Sequence, residues 1–150
     1  MEIVEFEPRH AEAFRVLNEA WISKYFTLEA KDREVLNDPQ GKILDKGGRI
    51  FMALQDGAAV GCVALLKMHD GGYEVAKMTV SEDLRGSGLG RQLMQRCIDA
   101  GAEMGARRLY LETNSGLGPA LGLYRAMGFR VLAPCETEYS RCDVWMERPY

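Results

Sequence analysis

Apolar and polar positions alternate along this chain at two periods, and the switches between them mark its elements. Residues 3–6 alternate with acids and predict a strand. Pro8 then suits the first turn of a helix, and Phe14, Leu17, Trp21, Ile22 and Tyr25 follow at helical spacing. This stripe packs a core, or its end (Trp21, Tyr25 or Phe26) walls a binding site. Residues 27–48 are polar and punctuated. Thr27 with its downstream acids caps a short helix ending near Asn37, and Asp38-Pro39 and Gly47-Gly48 break the chain.

Residues 49–55 and 59–67 read as strands joined by Asp56-Gly57, a hairpin turn signal. A second turn at His69-Asp70-Gly71-Gly72 leads to a third strand over residues 73–80, making a meander. Leu89, Leu93, Met94, Cys97 and Ile98 mark one helix face, with Gly101 and Gly105 near its end. Residues 108–113 form a strand. Gly118-Pro119 opens a helix carrying Leu121, Tyr124, Arg125 and Met127, which Gly128 closes. Residues 129–132 and 142–146 are the final strands. The order β-α-(α)-βββ-α-β-α-ββ predicts an α+β fold: a mixed, mostly antiparallel sheet flanked by helices.

Composition narrows the class. The 150 residues favour a single domain, 1–150, and a hydrophobic content of 47% is enough for a core. A net charge of −3 argues against general nucleic-acid or anionic-membrane binding. The acidic N-terminus lacks the basic and apolar regions of a signal peptide, and no apolar run is long enough to span a bilayer. Cys62, Cys97, Cys135 and Cys142 form no CxxC pair, and only His10 and His69 are available, so no metal site is expected. A reduced, cytoplasmic protein is the simplest reading.

Residues 74–96 carry the chemistry. The strand ends in a polar loop that leads through Arg85-Gly86-Ser87-Gly88-Leu89-Gly90 into a helix. Such a loop is a phosphate cradle: glycines admit positive φ and close approach, and backbone N–H groups point at the anion, aided by the helix dipole. Arg85 and Arg91 add positive charge. A P-loop needs Gly-Lys-Ser/Thr after Gly and four residues, and no such string occurs. A dinucleotide fingerprint fits Gly86 and Gly88, but its third glycine falls on Arg91. The pattern Arg/Gln-x-x-Gly-x-Gly/Ala fits Arg85, Gly88 and Gly90 position for position.

That last pattern is the pyrophosphate loop of the GCN5-related N-acetyltransferases, which the chain resembles along nearly its whole length. Tyr124-Arg125-Ala126-Met127-Gly128-Phe129 is similar to the family's Tyr-x-x-x-Gly-Phe motif. Residues 109–114 are similar to its strand ending in Asn. The closing residues 141–147 look like those of bacterial small-molecule members. The resemblance implies acetyl-coenzyme A as co-substrate. It implies that Met78, Thr79 and Val80 pair with the pantetheine amides as an added strand would. Arg85, Gly86, Ser87, Gly88, Leu89, Gly90 and Arg91 then bind the pyrophosphate, while Asn114, Leu121 and Tyr124 line the path to the thioester.

The implied reaction sets further roles. An amine of pKa ~10.4 must lose its proton, at a cost of roughly 4.6 kcal/mol at pH 7. Glu74 falls where several histone-type members place their general base; many other members use water chains, and both routes stay open. Glu112 is the weaker alternative. A backbone N–H of Met78 or Val80 is placed for an oxyanion, and Tyr124 for protonating the leaving thiolate. No cysteine is needed as a nucleophile. The acceptor expected is a small-molecule or amino-acid-like amine, with a protein or peptide amine, or a CoA-binding sensor without turnover, as the alternatives. Exposed C-terminal strands offer a homodimer contact.

Overall fold

Seven strands hydrogen-bond into one sheet in the order β1-β2-β3-β4-β5-β7-β6, and the computed structural model describes residues 1–150 throughout. The strands are β1 (Glu2–Glu5), β2 (Arg49–Gln55), β3 (Ala58–Lys67), β4 (Tyr73–Val80), β5 (Arg108–Thr113), β6 (Arg130–Val131) and β7 (Val144–Pro149). Every neighbouring pair is antiparallel except β4 with β5, which are parallel. The helices are α1 (Ala11–Tyr25), α2 (Ala30–Asn37), α3 (Leu89–Glu103) and α4 (Gly118–Ala126). This is the α+β arrangement that the periodicity predicts.

The β2–β3 turn shows how sequence dictates geometry. Asp56 and Gly57 have φ of 51° and 81°, the left-handed values a two-residue hairpin demands, and glycine and aspartate tolerate them best.

Both faces of the sheet are covered, so β2 is buried along almost its whole length rather than alternately. Phe51, Ala53, Val63, Leu65, Tyr73, Val75, Leu109 and Leu111 pack under α3 and α4 with Leu93, Met94 and Cys97. Ile50, Met52, Leu54, Cys62 and Ala64 pack under α1 and α2 with Phe14, Ile22, Val35 and Leu36. Burying each large aliphatic side chain contributes about 1.5–3 kcal/mol.

Several boundaries differ from the sequence reading. A 3-10 turn, Pro8–His10, precedes α1, and Pro8 sits at its start. Helix α2 is capped by Glu29, not Thr27: the Glu29 side chain takes the amide of Asp32, and Asp32 takes the Glu29 amide at 2.9 Å. The reciprocal pair satisfies two helix-end donors where a hydroxyl would satisfy one. A π-helical turn, Gln40–Leu44, follows Pro39 and buries Ile43 completely. Strand β6 is two residues long, and β7 starts at Val144 rather than Cys142. No helix is long and apolar enough to cross a membrane.

Candidate active site

The parallel pair β4–β5 opens almost as soon as it forms. Only Tyr73 with Leu109 and Glu74 with Tyr110 are in register. Beyond them β4 stays with β3 as far as Val80, while β5 stays with β7 as far as Thr113. The edge of β4 that faces β5 is therefore unpaired from Val75 onward. A bulge accompanies the divergence: β3–β4 register shifts between Cys62 and Ala64, and Lys77 has φ of 56°. An extra residue on one strand bends it and strengthens its twist.

A buried ion network sits at that bulge. Lys77 Nζ donates to Asp32 Oδ1 at 2.7 Å and to the Tyr139 hydroxyl at 3.1 Å. Arg141 donates to both oxygens of Asp32, at 2.7 and 2.8 Å, and to Glu29 at 3.3 Å. The Asp32 side chain is 0% exposed. Burial alone raises its pKa, but the hydrogen bonds from Arg141 and Lys77 outweigh this and hold the carboxyl well below the usual range. Burial also lowers the Lys77 pKa. The network ties α2, the β4 bulge and the segment before β7 to one carboxylate.

The gap between β4 and β5 is a cavity of about 130 Å³ that passes through the sheet. Trp21 and Phe26 of the α1 side wall one end, and Ala120 and Tyr124 of α4 the other. Glu74, Met78 and Asn114 line it between them. Because Tyr73 and Val75 point under α3, Glu74 points to the opposite face. It makes no hydrogen bond within the protein, and burial, reinforced by the charge of Glu112, pushes its pKa up to about 7. Tyr124 packs on Phe129 with ring centroids 6.1 Å apart. Burial pushes its hydroxyl pKa up to about 12, so it carries its proton at neutral pH.

The glycine loop lies beyond the end of β4. After a short turn, Glu82–Leu84, Gly86 and Gly88 take φ of 79° and 90°. A Cβ at either would meet nothing within 4 Å, so packing does not demand glycine there; backbone conformation does, and the space above the loop stays open. Helix α3 begins at Leu89 without a side-chain cap, and its first intrahelical bond comes from the Gln92 amide to Gly88. The amides of Leu89, Gly90 and Arg91 thus lack helical acceptors. Open amides, left-handed glycines, Arg85 and Arg91 fit a diphosphate. Arg85 donates to the Tyr25 hydroxyl, and Lys24 pairs with Glu82, so α1 holds the loop from the side.

Not every side chain singled out in the sequence faces the cavity. Thr79 is 4% and Leu89 2% exposed, so only their backbones are available to a ligand. Val80 and Leu121 pack against the core beneath α3. Asn114 lines the cavity, but its amide is committed: Nδ2 donates to Arg141 O at 2.7 Å and Oδ1 accepts the Gly116 amide at 2.8 Å. All four cysteines are free. Burial pushes the Cys62 thiol up to about 12 and raises Cys97 as well, so neither is a thiolate. No cluster of His, Cys, Asp or Glu is placed to hold a metal ion.

A second, wider chamber adjoins Glu74 on the α2 side. It is lined by Leu66, Met68, Ala76, Tyr110, Glu112 and the segment from Cys135 to Tyr139. The sequence reading missed Asp32, Lys77, Tyr139 and Arg141. One signal was legible: a lysine in the apolar stretch between Val75 and Val80, where a regular buried strand has no room for a charge.

Residues 11–129 match the profile of the acetyltransferase (GNAT) family. The chain is 37% identical over 87 residues to the IAA acetyltransferase of Azospirillum brasilense, spanning 57% of each protein. It is 30% identical over 108 residues to the uncharacterized N-acetyltransferase YvbK of Bacillus subtilis, spanning 70% of each. Among solved structures, a GNAT-family acetyltransferase of Staphylococcus aureus superposes with a TM-score of 0.89 at 19% identity, covering 99% of this chain and 98% of that one. The PaiA N-acetyltransferase of Thermoplasma acidophilum, solved with coenzyme A, superposes with a TM-score of 0.78 at 17% identity, covering 99% and 98%. At these identities the two structures show the shared fold.

Proposed function

The chain belongs to the GNAT acetyltransferase family, and from that premise we propose that it transfers the acetyl group of acetyl-CoA directly to a primary amine of a small acceptor. The carrying observation is the opening of β4 from β5 beside Glu74, with the glycine loop at the far end of the same strand. A long ligand laid along β4 reaches from that loop to the cavity.

Acetyl-CoA supplies an acetyl group activated as a thioester. Gly86, Gly88, Leu89, Gly90 and Arg91 present backbone amides to its diphosphate, and Arg85 and Arg91 add charge. The unpaired edge of β4 from Met78 to Val80 offers peptide groups to an amide-bearing arm. Glu74, with a pKa near 7, accepts the proton of the incoming ammonium at its carboxylate. Tyr124 Oη holds a proton and delivers it to the departing sulfur. A thiol of pKa ~8.5 is already a fair leaving group, so this transfer assists more than it decides. Trp21 and Phe26 exclude water on the acceptor side.

Thiol release from acetyl-CoA across a panel of primary amines tests the reading. Amine-dependent release, with one acetylated product per thiol, is the expected result. Tight coenzyme binding without release on any amine would make the protein a CoA-binding module instead.

A further inference from the structure

The chamber beside Glu74 carries more charge information than the reaction needs. Its lining carboxylates are Glu74, Glu112, Glu136 and Glu138, and its lining cations are Lys31, Lys77 and Arg108. Each cation is already committed. Lys77 is held by Asp32 at 2.7 Å, in a network where Asp32 and Glu29 balance Lys77 and Arg141. Arg108 is held by Asp70 at 2.8 Å and Glu147 at 3.2 Å, and Arg130 completes that balance. Lys31 pairs with Glu138 at 3.2 Å and Glu34 at 3.6 Å.

Glu74, Glu112 and Glu136 have no cationic partner. Glu112 is nonetheless fixed in place by neutral donors: the Tyr110 hydroxyl at 2.8 Å on one oxygen and the Thr137 hydroxyl at 2.6 Å on the other. Each oxygen keeps a further lone pair for a ligand donor. Glu112 lies two residues beyond Tyr110, the register partner of Glu74, and so on the same face of the sheet, and both carboxylates line this chamber. Leu66, Met68 and Ala76 supply apolar wall beside them.

Resting on the proposed acetyl transfer, we propose that the acceptor is a diamine or polyamine: one amine reacts beside Glu74, while a second ammonium is held by Glu112 and Glu136 and the intervening methylenes lie on Leu66, Met68 and Ala76. The chamber offers no uncommitted cation for an acceptor's carboxylate or phosphate. Its specificity is therefore for a second positive charge and against a negative one.

Three probes of matched backbone decide the matter: 1,4-diaminobutane, butylamine and 4-aminobutanoate, which differ in carrying a second ammonium, a methyl or a carboxylate. The expected kcat/KM falls in that order, with the diamine ahead of butylamine by roughly tenfold to a hundredfold, the range of one hydrogen bond between charged groups. The preference shrinks as salt is raised, and Glu112→Gln brings the diamine-to-butylamine ratio toward unity. Equal rates for diamine and butylamine, or preference for 4-aminobutanoate, would overturn the assignment while leaving acetyl transfer intact. If none of the three is acetylated, thermal melting of the CoA-saturated protein still decides. A rise in Tm with the diamine and none with butylamine supports the second-ammonium site, and no difference removes it.

Discussion

Lys77 Nζ and Asp32 Oδ1 lie 2.7 Å apart across 45 residues of chain, and both side chains are almost wholly out of solvent. The contact pins helix α2 to the one residue of β4 whose backbone is left-handed. Its removal has a large predicted effect, because a buried cation without its anion is costly. Asp32→Ala strands Lys77 and leaves Arg141 with Glu29 alone. We expect a loss of roughly 3–5 kcal/mol in urea unfolding. The sign with pH follows from the depressed Asp32 pKa. The stabilisation is complete above the unfolded value of 3.8 and drains as pH falls below it. Wild type should therefore lose stability steeply in acid and Asp32→Ala much less so.

Glu74 behaves in the opposite sense. Its pKa is raised from 4.5 to about 7, so the folded protein holds a proton there that the unfolded chain has released. The penalty is absent below pH 4.5, grows through the interval, and is complete above 7, on the order of 3 kcal/mol at most. Glu74→Gln should raise Tm at pH 8 and leave it nearly unchanged at pH 4. The same variant should lower kcat/KM at neutral pH by roughly 10²–10⁴. Wild-type activity should climb as pH passes about 7 and Glu74 loses its proton. A variant that is stabilised in base yet fully active would remove Glu74 as the base.

The Tyr124 hydroxyl makes no hydrogen bond inside the protein, so Tyr124→Phe removes one hydroxyl and little packing on Phe129. Turnover should fall roughly tenfold to a hundredfold, no more than the bottom of the usual range for a general acid, because the thiol is a fair leaving group. Coenzyme affinity by calorimetry should barely change. Unaltered turnover would reassign the tyrosine to packing.

Gly88→Val tests the cradle. The site has open space for a Cβ, so the fold tolerates it sterically, but a β-branched residue at φ of 90° is strained by about 1–2 kcal/mol. A free loop that relaxes out of this conformation must be returned to it on binding, which weakens coenzyme affinity roughly tenfold, and the isopropyl group also stands where the anion would approach. Calorimetry should show that weakening, or no binding at all, with near-UV circular dichroism unchanged.

Much of this layout was legible in sequence because it is written locally. Asp56-Gly57 names its own turn, and the spacing of Leu89, Leu93, Met94 and Cys97 names the buried face of α3. The glycines between Arg85 and Arg91 declare the left-handed entry to α3, where the first helical amides lack side-chain caps. What escaped notice depends on partners far along the chain. Asp32 and Arg141 meet across 109 residues, and no periodicity connects them. In a polar stretch Asp32 looks like any solvated acid, yet it is fully buried. The cap at Glu29 was hidden because glutamate is not a favoured capping residue; only its reciprocity with Asp32 makes it one. Glu112 stood only as the weaker candidate base, since nothing local reveals that Thr137 hydrogen-bonds it.

The two halves of the sheet, β1 to β4 and β5 to β7, meet through just two residue pairs. Across the rest of that seam the sheet lacks a rung-by-rung connection, so a molecule bridging both margins acts as a strut as well as a substrate. Occupancy then stiffens the molecule along a line running from Val75 to Val80, and amide hydrogen exchange should slow first along that line.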